Sequence, residues 1–261
     1  MSAVATDQFP QRPTTMNGSP HAPSGVALIF GGSRGIGAAI AERLATDGFN
    51  VALTYVSQAA RANEVVARIA ERGGWAIAIN ADSANPAAIH GAVDRTVREL
   101  GPPDVVVVNA GILRLGTVEK VQLRDLDQSL DINVRGVFLA IQAAAAEMRD
   151  GGRIIVVGSN AALKLGHSGS SVYSMTKAAV KRMVEAVALD LAPRAITVNT
   201  IQPGPTATDM TASMIDQMID QIPLRRIGKP EDIAALASYL AGPASAYMTG
   251  ASLTIDGGFS L

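Results

Sequence analysis

Apolar and polar positions fall into two alternating rhythms along this chain. Val26-Ala27-Leu28-Ile29-Phe30 is a short apolar run ending in glycines, the pattern of a strand buried on both faces. Residues 35–47 follow with helical spacing and stop at Asp47-Gly48. A second strand is predicted over 51–55, then a helix over 59–72 halted by Gly73-Gly74, then a strand over 75–80. Asn85-Pro86 opens a helix that reaches Leu100, with Asn as the cap and Pro in the first turn. Val105-Val106-Val107-Val108 is β-branched throughout and bounded by Pro103-Asp104 and Ala110-Gly111, which suits the interior of a parallel sheet. A long helix is expected over 124–148, strands over 153–157, 196–201 and 252–255, and a helix over 170–192. This alternation predicts an α/β fold: one doubly wound parallel sheet of about seven strands, with helices on both faces. No internal repeat and no later boundary divides the domain, which spans 25–261.

Composition narrows the class of molecule. Of 261 residues 48% are hydrophobic and 17% charged, enough apolar material for one sizeable core. A formal net charge of −1 argues against nucleic acid as the main partner, since duplex binding needs a basic face. The chain has no cysteine, so thiolate chemistry, disulfides and cysteine-ligated metals are excluded, and a cytoplasmic setting is expected. No apolar run approaches the ~20 residues of a membrane-spanning helix, so no membrane association is expected. Residues 1–24 carry four prolines and no apolar stretch, and read as a flexible N-terminal extension rather than a secretory signal. His21, His90 and His167 are scattered, so no metal site is expected.

The first strand runs into Gly31-Gly32-Ser33-Arg34-Gly35-Ile36-Gly37, and a helix follows at once. Glycines allow a tight turn and close approach of the backbone to a pyrophosphate, and the helix start offers free N–H groups and a positive dipole end. Strand, loop and helix in this order predict a Rossmann-type dinucleotide site rather than an ordinary turn. The second strand ends Thr54-Tyr55-Val56-Ser57 without an acid to hold an unphosphorylated adenosine ribose. Arg34 places positive charge beside it, and Arg61 adds more, so NADP(H) is favoured over NAD(H).

Tyr173-Ser174-Met175-Thr176-Lys177 puts Tyr173 and Lys177 four residues apart, on one face of a helix. A free phenol has a pKa of ~10. A fixed ammonium beside it would lower that value and let the phenol exchange protons with a carbonyl or alcohol. Ser159 closes the fifth strand, at the end where such sheets bind ligands, and its hydroxyl can donate to a carbonyl oxygen.

The spacing Gly-x-x-x-Gly-x-Gly at 31–37, together with Ser159, Tyr173 and Lys177, resembles the short-chain dehydrogenase/reductase family over 25–261. Phe30 departs from it, standing where that family carries Thr. The resemblance implies that Ser159 orients the carbonyl, that Tyr173 is the acid/base, and that Lys177 lowers its pKa and holds the ribose. It implies that Asn133, inside a helix, positions a water. It places Asp82 and Ser83 near the adenine, and Asn109, Ala110 and Gly111 along the cofactor cleft. Pro203, Gly204, Thr206 and Thr208 would grip the nicotinamide. A homotetramer packed through the helices 124–148 and 170–192 is also implied. Arg225-Arg226-Ile227-Gly228-Lys229-Pro230-Glu231-Asp232 is similar to 3-oxoacyl-carrier-protein reductases and related ketone reductases.

The expected activity is NADPH-dependent, reversible reduction of a small-molecule ketone or aldehyde. Alternatives are an NAD-linked dehydrogenase of sugar or steroid alcohols, and a reductase-like nucleotide-binding protein with little turnover. Met210, Met214, Ile215, Met218 and Ile219 suggest an apolar substrate wall over 205–228, or core packing.

Overall fold

The computed structural model describes residues 25–164, 168–212 and 218–261. The expectations for the extension 1–24, for His167 and for Met214 and Ile215 lie outside the described residues. Seven strands alternate with helices: β1 (Gly25–Phe30), α1 (Gly35–Thr46), β2 (Phe49–Tyr55), α2 (Ala59–Glu71), β3 (Ala76–Asn80), α3 (Pro86–Leu100) and β4 (Val105–Val108) form the first part. Then come α4 (Leu123–Leu130), α5 (Gly136–Glu147), β5 (Arg153–Val157), α6 (Ser171–Leu191), β6 (Thr197–Pro203), α7 (Pro230–Ala241) and β7 (Ser252–Ile255). The strands make one parallel sheet in the order β3-β2-β1-β4-β5-β6-β7. Successive strands are laid down outward from β1 to β3 on one side and from β4 to β7 on the other, and the switch between β1 and β4 opens a crevice at their C-terminal ends.

Because strand side chains alternate, each strand feeds two cores. Leu28 and Phe30 of β1 pack with α3, α5 and α6, through Ile89, Ile141 and Val184 among others. Ala27 and Ile29 pack on the opposite face with α1, α2 and α7, through Ile40, Val65 and Ala237. Phe30, Ile29, Ile40 and Ile155 are essentially inaccessible, and burying each such side chain contributes about 1.5–3 kcal/mol. Asn85 caps α3 as expected: its side chain accepts from Ala87 N at 2.9 Å and Ala88 N at 3.3 Å.

Two departures from the sequence pattern matter. The helix expected over 124–148 is present over 123–147 but is not uniform: between α4 and α5 the five residues Asp131–Arg135 continue it as a π-turn containing Asn133. Helix α7 has no counterpart among the expected elements. It starts with Pro230 in its first turn, and the Asp232 side chain accepts a hydrogen bond from Lys229 N at 2.8 Å.

Candidate active site

The glycine loop bends because Gly31 and Gly35 hold left-handed backbone conformations, with φ of +79° and +53°. It is tied at both sides. Gly31 N donates to Thr54 Oγ1 (2.9 Å), Gly32 N to Thr54 O (3.0 Å), and Asn109 Nδ2 to Gly31 O (2.7 Å). A Cβ on Gly37 would lie 2.1 Å from Gly31 O and 2.5 Å from Asn109 Nδ2, so backbone alone fits there. Helix α1 begins with no side-chain cap and no acid in its first turn, leaving its N–H groups and dipole end uncompensated by side chains.

Helix α6 carries Tyr173 and Lys177, and its apolar stripe Val180, Val184, Val187 seats it on the sheet. Lys177 is buried and donates to Val157 O at 3.3 Å, and its Nζ lies 5.7 Å from the centre of the Tyr173 ring. Burial pulls its pKa from 10.5 down to about 8. Burial also pushes the Tyr173 phenol above its ordinary 10, opposed by the smaller effect of a hydrogen bond with Ser159. Thus the lowering of the phenol expected from Lys177 does not appear in the protein alone: burial raises the phenol, and the only opposing influence comes from Ser159. Ser159 follows β5; its hydroxyl accepts from Ala161 N at 3.1 Å and its N–H donates to Gln202 Oε1 at 2.7 Å.

These groups open on one cavity of about 470 Å³. Of the expected residues Ile36, Asn109, Gly111, Ser159, Tyr173, Lys177, Pro203, Gly204, Thr206, Thr208, Met210 and Met218 all line it. The others lie elsewhere. Gly31, Ser33, Arg34, Gly35 and Gly37 form the glycine loop, and Ala110 backs it, with its N–H donating to Phe30 O at 2.9 Å. Tyr55 ends β2, Ser57 lies two residues beyond it, and Asp82 and Ser83 follow β3, farther along the same edge of the sheet. Asp82 accepts from Ala84 N at 2.9 Å, holding its own turn. Arg34 pairs with Asp209 at 3.3 Å, and Arg61 bonds the same carboxylate.

Asn133 is not on the cavity wall. It is fully buried, accepts from Ile112 N (2.9 Å) and donates to Ile112 O (2.9 Å) and Thr176 Oγ1 (3.2 Å). It thereby clamps the segment after β4 to α6, directly behind Gly111 and Lys177: a Cβ on Gly111 would lie 3.3 Å from Asn133 Oδ1 and 3.5 Å from Lys177 Nζ.

Sequence reasoning missed Thr54, Thr176 and Gln202, which hold the glycine loop, Asn133 and Ser159. Gln202 had a readable signal: a buried polar side chain in a strand pattern that is otherwise apolar must find partners. Leu113, Leu115, Lys164 and Phe259 of the cavity wall were also missed; they lie in loops without periodicity.

The residues present fit a dinucleotide. At Gly31 and Gly37 the cradle leaves no room for a side chain, α1 offers N–H groups that no side chain caps, and among the described residues the buried Lys177 ammonium, with three protons to donate, has Val157 O as its one acceptor.

Comparison with known proteins agrees with the geometry. Residues 31–260 match the family described as enoyl-(acyl carrier protein) reductase. A 3-oxoacyl-acyl-carrier-protein reductase of Synechocystis is 41% identical over 89% of this chain and 96% of its own length. The cyclic-di-GMP-binding biofilm dispersal mediator protein of Escherichia coli is 40% identical over 89% of this chain and 95% of its own. Among solved structures, a short-chain dehydrogenase of Burkholderia cenocepacia in complex with NADP superposes with a TM-score of 0.89, 45% identity, and coverage of 92% and 99% of the two chains. A dinucleotide cradle, a hydroxyl-lined cavity and relatives of this kind lead to one conclusion: the chain belongs to the short-chain dehydrogenase/reductase family and is an oxidoreductase acting between carbonyl and alcohol.

Proposed function

We propose that the protein is an NADPH-dependent reductase of a small ketone or aldehyde, with Tyr173 as the proton donor. The observation that carries this reading is the convergence of Ser159, Tyr173 and Lys177 on one cavity wall beside the glycine loop. NADPH, when bound, supplies hydride. Ser159 donates a hydrogen bond to the carbonyl oxygen and fixes its position. Tyr173 gives its phenolic proton to that oxygen as negative charge develops there. The raised phenol pKa keeps the proton in place until then. Lys177 faces the phenolate that remains and offers its spare N–H groups to the ribose, while Asn133 acts through Gly111 and Lys177 as a positioning residue. Ser57, Arg34 and Arg61, with no acid at the end of β2, support NADPH over NADH, and Asp82, Ser83, Asn109 and Ala110 are assigned to the adenosine side. Thr206 and Thr208 would hold the nicotinamide.

The proposed assembly is a homotetramer in the cytoplasm. Exposed Leu123, Phe138, Met175 and Leu189 on α4, α5 and α6 support packing between copies through those helices.

The competing reading is a nucleotide-binding regulator with little turnover, which the name of the Escherichia coli relative favours. NADPH oxidation over a panel of ketones and aldehydes separates the two. Turnover is expected, and Tyr173→Phe is expected to lose about 10²- to 10⁴-fold while still binding NADPH. Full activity in Tyr173→Phe would refute the mechanism, and NADPH binding without turnover of any substrate would favour the regulator.

A further inference from the structure

Arg34 lies in the glycine loop and Arg61 in the first turn of α2, yet both bond one atom, Oδ2 of Asp209. Among the described residues Asp209 is the only acidic partner of either arginine. The three side chains are 58%, 46% and 55% exposed, so the cluster stands open where a ligand group can reach it. The pair of guanidinium groups holds the carboxyl of Asp209 below the usual carboxylate range, the Arg61 hydrogen bond contributing most. Along the chain Asp209 sits between two parts of the site. Thr208 on one side lies against Gly35, where an added Cβ would be 3.2 Å from its methyl carbon. Met210 and Thr211 on the other side line the cavity, as does Thr208 itself.

We infer that Asp209 is an internal stand-in for the 2′-phosphate of NADP(H), competing with it for Arg34 and Arg61 and so setting the cofactor preference. This rests on the reading of those arginines as phosphate partners. A phosphate monoester carries about −1.5 to −2 charges near neutral pH and three acceptor oxygens, so it outcompetes one carboxylate for two guanidinium groups. NADPH therefore displaces Asp209 and releases the stretch 208–211 that walls the cavity. NADH brings no anion to that place and leaves the tether closed. In this way the occupant of the adenosine end is felt at the cavity.

The test is a fluorescence titration of the full chain with NADPH and with NADH. It compares wild type, Asp209→Asn, Arg61→Leu and the double variant. Asp209 is exposed, and unchanged circular dichroism is expected for its variant. Asp209→Asn is expected to tighten NADPH by about 2- to 5-fold, the range for losing exposed ion pairs, and to leave NADH unchanged. In the Arg61→Leu background the gain shrinks, because one of the contested groups is gone. Three results would overturn the proposal while sparing the cofactor reading: no tightening of NADPH, weaker NADPH binding (Asp209 then pre-positions the arginines), or equal tightening of NADH. A wild type that binds NADPH no better than NADH removes the cofactor reading and this inference with it.

Discussion

Lys177 shows what a single residue at this site costs. Its ammonium is buried, donates to one carbonyl among the described residues, and is pulled by burial from a pKa of 10.5 down to about 8. A lysine whose folded pKa is depressed penalises the folded state in full below about 8, and the penalty fades as pH rises from 8 towards 10.5. Replacing it by an apolar side chain of similar length removes the penalty. Lys177→Met is therefore expected to stabilise the protein at pH 7 by about 1–3 kcal/mol, with a smaller gain at pH 9.5, and to abolish turnover. Urea unfolding at the two pH values checks this; a variant less stable than wild type at pH 7 would show that burial is not the dominant influence on Lys177. Tyr173 and Lys177 were legible in the sequence because helical periodicity alone puts them on one face. The direction of the Tyr173 shift was not, because it depends on how much water the folded chain removes. Nor could spacing reveal that the buried amide of Asn133 is consumed by Ile112 and Thr176.

At the scale of elements, β1, the glycine loop and α1 act as one piece. Gly37→Ala would press a methyl group against Gly31 O and Asn109 Nδ2, both tied to their surroundings. The expected result is a loss of about 1–3 kcal/mol in stability and weaker NADPH binding, read from urea unfolding and fluorescence titration. Phe30, the departure from the family pattern, is a core residue here. A hydroxyl still reaches the loop, from Thr54 on the neighbouring strand. The strands and most helices were legible because a sheet buried on both faces forces apolar runs between amphipathic stretches. The π-turn was not, since no proline or glycine precedes it within the helix and its extra residue leaves the apolar pattern nearly intact. Helix α7 does carry readable signals: Pro230 followed by Glu231-Asp232, then apolar positions 233, 234, 237, 240 and 241.

Across the whole molecule, the cleft joins both halves of the sheet: the glycine loop follows β1, Asn109 follows β4 and Ser159 follows β5. A ligand that spans these ends restrains the fold as a unit. NADPH at about a hundred times its Kd is expected to add about 2.7 kcal/mol, a rise of several degrees in Tm, and NADH at the same concentration less. Differential scanning fluorimetry measures both, and equal shifts would count against the proposed cofactor preference. The origin of the cavity wall has one more consequence. Ser159, Tyr173 and Lys177 are held by β5 and α6, whereas Leu113, Leu115, Met210 and Phe259 belong to loops. Substitutions in those loops can reshape the apolar wall without disturbing Ser159, Tyr173 and Lys177. A descendant of this chain can thus exchange one carbonyl compound for another while its reaction stays the same, which makes the scaffold evolvable.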